Sequence, residues 1–133
     1  ASVFDQRERN VVRNWSDYGL ASVAALHAAG VSVAGADVHY RGTVPEGVGL
    51  SSSAALLVGF VAALARLAGA EQEPYALARI AQDAEHRAGA PVGLLDQVSS
   101  VTGGVLRFSN DPARVQRLNA ALGDAVFVVC DSP

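Results

Sequence analysis

The chain has 133 residues, half of them hydrophobic and 17% charged, with a formal net charge of −3. That length holds one domain at most, the composition supports a packed core rather than disorder, and the mild acidity gives no footprint for nucleic acid. All ten basic residues are arginine and the single cysteine is Cys130, which excludes a lysine-bearing Walker A loop, a Schiff-base amine, an internal disulfide and any CxxC zinc or redox pair.

The longest apolar run, residues 54–67, is interrupted by Gly59 and Arg66 and falls short of the roughly 20 residues that a membrane span needs. No basic-then-apolar signal segment opens the chain. The expectation is a soluble, cytoplasmic domain of the α/β or α+β class, with neither nucleic acid nor membrane as a partner.

In chain order, apolar residues recur at helical spacing from about Val11 to Ala29, and Gly30 stops the pattern. Asp37 to Val44 alternates, with Val38, Tyr40 and Val44 on one face, and predicts a half-buried strand. Pro45 to Leu50 is a glycine-rich loop; Ser51, Ser52 and Ser53 follow, then a helix to Ala68 closed by Gly69. That helix is apolar almost all round and should sit in the core. A third helix runs from Pro74 to Ala88, with Gly89 as its stop. Pro91 and Gly93 make a corner, and a fourth helix over Gly93 to Val101 ends at Gly103-Gly104. Val105–Ser109, Val115–Leu118 and Ala125–Asp131 predict strands. The last, a continuous apolar run, reads as a central one, with Cys130 an inert core thiol. A buried strand leading straight into Asp131-Ser132-Pro133, and an equally abrupt start, suggest a piece of a longer protein.

The segment from Asp37 to Ala68 carries the most chemistry. Gly47 and Gly49 let backbone approach a ligand closely. Three serines at a helix N-terminus add hydroxyls beside unpaired N–H groups and the positive end of the dipole, the parts of an anion site for which phosphate is the usual occupant. The plainer reading is a serine N-cap after a turn. Without lysine, the charge of a nucleoside triphosphate calls for Mg²⁺ and hard oxygen ligands. Glu85, among Ala81, Ala84 and Ala88, and Asp96, between Leu94 and Leu95, are candidate carboxylates. Each could be an ordinary surface acid, although an acid between two leucines hints at a buried charge, which needs a partner.

Pro45-Glu-Gly-Val-Gly-Leu-Ser-Ser-Ser-Ala-Ala55 resembles the second motif of the GHMP small-molecule kinases, nearest to its galactokinase form. Ala84-Glu-His followed by Gly89-Ala-Pro-Val-Gly93-Leu-Leu-Asp96-Gln97 resembles a second galactokinase stretch, and Trp15-Ser-Asp-Tyr18 a third. The three stand in family order across roughly Trp15 to Asp131. The resemblance implies an α+β fold, the GHMP kinase N-terminal domain (ribosomal protein S5 domain 2-like), with helices packed on a mixed sheet and present here in part over residues 1–133. It implies that Gly47, Val48, Gly49, Leu50, Ser51, Ser52, Ser53 and Ala54 wrap the phosphates of ATP. Ser53, with Ser52 as the other candidate, and Glu85 would hold Mg²⁺. Asp96 would be the catalytic base and would face the sugar with the backbone of Gly93. Trp15 and Tyr18 would line the adenine pocket, the plainer reading of that pair being a helix core face.

The implied activity is transfer of the ATP γ-phosphoryl group to a monosaccharide hydroxyl, galactose O1 first, with ATP and a small sugar as partners. The family's first, sugar-contacting motif and its C-terminal glycine-rich motif are not in these residues. A further chain or domain is therefore expected to supply them, and the isolated chain need not be active. Glu85 and Asp96 are 11 positions apart, closer to the mevalonate kinase pattern. A GHMP kinase for another small molecule (another sugar, mevalonate or homoserine) is thus one alternative. A non-catalytic nucleotide- or sugar-binding fragment is the other.

Overall fold

The computed structural model describes residues 15–109, 114–121 and 123–130. Within them run α1 (Ser16–Ala28), α2 (Ser52–Leu67), α3 (Pro74–Arg87), α4 (Leu95–Thr102), β1 (Val105–Phe108) and β2 (Val115–Leu118). The class is α+β. The part of the first expected helix that precedes Trp15 lies outside the described residues.

Alanine followed by glycine ends three of the four helices in one manner. Gly30, Gly69 and Gly89 take φ of +82°, +67° and +91°. Their N–H groups bond back to His27, Arg66 and His86, while those of Val31, Ala70 and Ala90 reach Leu26, Ala65 and Glu85. This is the paired Schellman closure, which satisfies carbonyls that a helix end otherwise leaves open. At the other end of α3, Pro74 sits in the first turn, where its missing N–H costs nothing.

The helices pack mainly on one another, with α3 against α1, α2 and α4. Ala78, Ala81 and Ala84 of α3 are fully buried, and such short side chains let neighbouring helices approach closely. The main cluster joins Ala25 and Leu26 of α1, Leu57, Val61 and Leu64 of α2, and Ile80 of α3. A second cluster joins Ala78, Leu94 and Val98, with Leu106, Phe108 and Val115 of the hairpin packed against it. The apolar run of α2 is buried where it meets its neighbours, whereas Leu67 at its end is exposed.

The sheet, expected to be mixed, is among the described residues a two-stranded antiparallel hairpin. Val105 faces Leu118 and Phe108 faces Val115. Two expected strands do not form. Residues 37–44 are irregular and exposed, and so are residues 125–130, where Val126 and Phe127 are 81% and 82% exposed. Cys130 is exposed with them rather than a core thiol. A strand satisfies its backbone only through a neighbour, and no strand among the described residues lies beside either segment. Residue 131, the end of the last expected strand, lies outside the described residues, as do Ser132 and Pro133. Among the described residues no helix is long and apolar enough to cross a membrane.

Candidate functional site

The glycine loop enters α2 through a backbone of alternating hand. Gly47, Gly49 and Ser51 have φ of +74°, +73° and +56°, and Val48 and Leu50 between them do not share that sign. Alternation of φ sign is what a backbone anion nest requires, in which successive N–H groups turn toward one concave side. Ser51 alone among the described non-glycine residues has positive φ, a conformation costing an L-residue about 1–2 kcal/mol. It is the N-cap residue of α2, as the plainer reading has it, but its hydroxyl makes no capping bond. The first turn of α2 carries no acidic side chain. The positive end of this helix is thus not answered by a carboxylate of its own.

At the second residue of α2, Ser53 Oγ donates to Glu85 Oε1 at 2.6 Å. It is Ser53, not Ser52, that meets Glu85. The other carboxylate oxygen accepts from Gln97 Nε2 at 2.5 Å. Three helices therefore meet on one carboxylate. Glu85 is only 3% exposed and Gln97 is fully buried. The Glu85 position follows from helix spacing, since Ala78, Ala81 and Glu85 share the buried face of α3. Two ion pairs lie elsewhere, Arg66 with Glu71 and Arg87 with Asp83. Among the described residues both hydrogen bonds to the Glu85 side chain come from neutral donors.

The corner after α3 is clamped on its carbonyl. Val92 O accepts from Gln82 Nε2 at 3.1 Å and lies 2.9 Å from His86 Nε2, which donates when its proton is on that nitrogen. Both come from α3, so this helix fixes the path through Gly93 into α4. Gly93 is exposed, and so is Asp96 in the first turn of α4. The hint of a buried Asp96 is thus corrected. Leu94 turns inward while Leu95 and Asp96 face out, because successive helix positions point about 100° apart. An exposed carboxylate needs no internal partner and remains accessible.

Trp15 is 48% exposed at the start of α1, and Tyr18 packs against the main cluster. Neither ring enters the Ser53–Glu85–Gln97 network. His86, whose place beside Glu85 reads as structural rather than catalytic, does hold the corner carbonyl, whereas sequence reasoning gave no role to Gln82 or Gln97. For Gln97 a signal existed. Leu94, Gln97, Val98 and Val101 occupy one helical stripe, and a glutamine inside it implies a buried partner. Separately, an open pocket of about 300 Å³ on the hairpin is lined by Arg107, Ser109, Arg114, Val115 and Gln116 and shares no residue with this network. No three His, Cys, Asp or Glu side chains converge among the described residues. The donor set here is one carboxylate and one hydroxyl.

A family profile described as "GHMP kinases N terminal domain" matches residues 18–104. A galactokinase of Streptomyces coelicolor is 45% identical over 89 residues, 66% of this chain and 23% of that protein. One from Mycobacterium tuberculosis is 32% identical over 127 residues, 91% and 35% of the respective chains. One from Roseiflexus is 40% identical over 100 residues, 74% and 25%. The chain therefore spans about a quarter to a third of the length of these relatives. No solved structure matches it. The matched residues include the nest, Ser53, Glu85, Gly93 and Asp96, and with that match the chain belongs to the GHMP kinases, where it is galactokinase-like and carries N-terminal-domain sequence.

Proposed function

We propose that this chain is part of a galactokinase-like sugar kinase that transfers the γ-phosphoryl group of Mg·ATP to a monosaccharide hydroxyl, galactose O1 being the first substrate to try. The observation that carries this reading is the Ser53–Glu85 pair at 2.6 Å. It sits just inside a helix whose entry is a glycine nest and whose first turn has no acid of its own.

The residues fit a hard divalent cation. A buried carboxylate whose two donors among the described residues are both neutral calls for a positive charge, and a carboxylate plus a hydroxyl suits Mg²⁺, which keeps waters and phosphate oxygens as its other ligands. Ser53 and Glu85 would hold the ion. When bound it neutralises charge developing on the phosphates. The N–H groups of residues 47–54 and the α2 dipole would grip the phosphate chain, and positioning of this kind is most of what phosphoryl transfer asks. Asp96, exposed on α4, would accept the sugar hydroxyl proton. Meanwhile that oxygen bonds to the γ-phosphorus and the bond to the ADP oxygen breaks. Gly93 would touch the sugar, Trp15 and Tyr18 the adenine, and a cytoplasmic location belongs to the same reading.

The test is Mg·ATP-dependent phosphorylation by the complete protein over a panel of galactose, other sugars, mevalonate and homoserine, repeated with Asp96→Asn. Galactose should be phosphorylated. The variant should lose on the order of 100-fold or more in kcat, the range of a general base, with ATP affinity kept. Unaltered turnover would remove Asp96 as the base, and turnover of another panel member alone would reassign the substrate.

A further inference from the structure

We infer that Gln97 is a positioning residue for Glu85, its amide holding one carboxylate oxygen so that the other stays turned toward Ser53 and the cation position. The inference rests on the reading of Ser53 and Glu85 as the Mg²⁺ pair and adds to it a third residue, from a third helix.

The amide is committed to this one contact. Gln97 Nε2 donates to Glu85 Oε2 at 2.5 Å, while Gln97 Oε1 is buried without a partner among the described residues. An unpaired buried carbonyl is costly. Turning the amide over would set that carbonyl against the carboxylate, so Glu85 dictates the orientation. The surroundings would accept a plain hydrocarbon. Gln97 lies between buried Leu94 and Val98 on the inner face of α4, a stripe that packing alone would fill with leucine or methionine. A glutamine there weakens the packing ledger and serves Glu85.

The two hydrogen bonds on Glu85 are not equivalent. The Ser53 bond joins the two atoms that would bind the cation, so it is the one a cation replaces. The Gln97 bond is on the other oxygen and is the one that persists. Groups that orient a metal ligand in this way govern affinity strongly. The next residue on α4 toward the N-terminus is the exposed Asp96, so Gln97 also ties the helix bearing the proposed base to the cation carboxylate.

The experiment uses the complete protein and its Gln97→Met, Gln97→His and Glu85→Gln variants. Melting temperature is read first, then Mn²⁺ affinity by electron paramagnetic resonance with a non-hydrolysable ATP analogue present. Gln97→Met removes the orphaned carbonyl but leaves buried Glu85 Oε2 without its donor, so it should melt somewhat lower than wild type, and it should bind Mn²⁺ about 10-fold more weakly or worse. Gln97→His, which restores an N–H donor, should recover part of that loss. Mn²⁺ binding by Gln97→Met within twofold of wild type would overturn the role of Gln97, provided Glu85→Gln binds weakly. If Glu85→Gln also binds like wild type, the Mg²⁺ reading itself fails. Should Gln97→Met not fold, the side-chain amide resonances of Gln97 in the wild-type protein decide. They should shift when Mg²⁺ is added with the analogue, and resonances that stay fixed would overturn the proposal.

Discussion

A carboxylate held at 3% exposure by one hydroxyl and one amide is a poor way to stabilise a fold. Burial disfavours its charge, and neutral donors compensate only in part. Two substitutions separate the stabilising and functional contributions of Glu85. In Glu85→Gln the new amide can accept from Gln97 and donate to Ser53, so the network stays paired. Unfolding free energy should hold or rise by about 1 kcal/mol, because a buried charge has gone. Glu85→Ala leaves Gln97 with neither amide atom paired and opens a void, and should cost about 2–4 kcal/mol. Denaturant unfolding of the two variants checks the contrast, and a Glu85→Gln variant as unstable as Glu85→Ala would contradict it. The polar residues of the site were partly legible in the sequence. Glu85 and Gln97 each interrupt an apolar helical stripe, and such interruptions announce buried polar groups. Their pairing was not legible, since side chains 12 positions apart on different helices meet only once α3 and α4 pack. The hint that Asp96 is buried failed for the converse reason. Flanking leucines say little on a helix, where adjacent residues face different ways.

At the scale of elements, glycine does two opposite things in α2. Gly69 closes the helix at φ +67°, where an alanine Cβ meets no neighbour but the backbone itself is strained. Gly59 lies within the helix, exposed, with open space where a Cβ would go. Gly69→Ala should therefore destabilise by about 1–2 kcal/mol. Gly59→Ala should stabilise by roughly 0.5–1 kcal/mol. Thermal unfolding of both variants gives the signs, and equal signs would refute the assignment. The helices and their stops were legible because their hydrogen bonds and caps are local. Gly30, Gly69, Gly89 and Pro74 mark ends that the chain realises by itself. The β1–β2 hairpin was legible for a similar reason, its two strands being near neighbours in sequence. Residues 37–44 and 125–130 carry strand-like patterns without forming strands. Pairing is non-local, and pattern alone does not supply the neighbour.

At the scale of the molecule, α3 is the member around which the rest is arranged. It packs on three helices, offers Glu85 to α2 and α4, and clamps the corner that leads to Asp96 through Gln82 and His86. The glycine nest, the Ser53–Glu85 pair and the Asp96 helix are thereby held by one element, although they are spread over about fifty residues of sequence. The family match covers this assembly. The glycine loop and the Ser53–Glu85 pair together make the proposed site for Mg·ATP. Calorimetric titration of Mg·ATP into the complete protein, with and without Mg²⁺ and with Ser53→Ala alongside, tests it most directly. Binding that requires Mg²⁺ and weakens about 10-fold or more in the variant is the predicted result. Equal binding by wild type and Ser53→Ala, or binding indifferent to Mg²⁺, would contradict it.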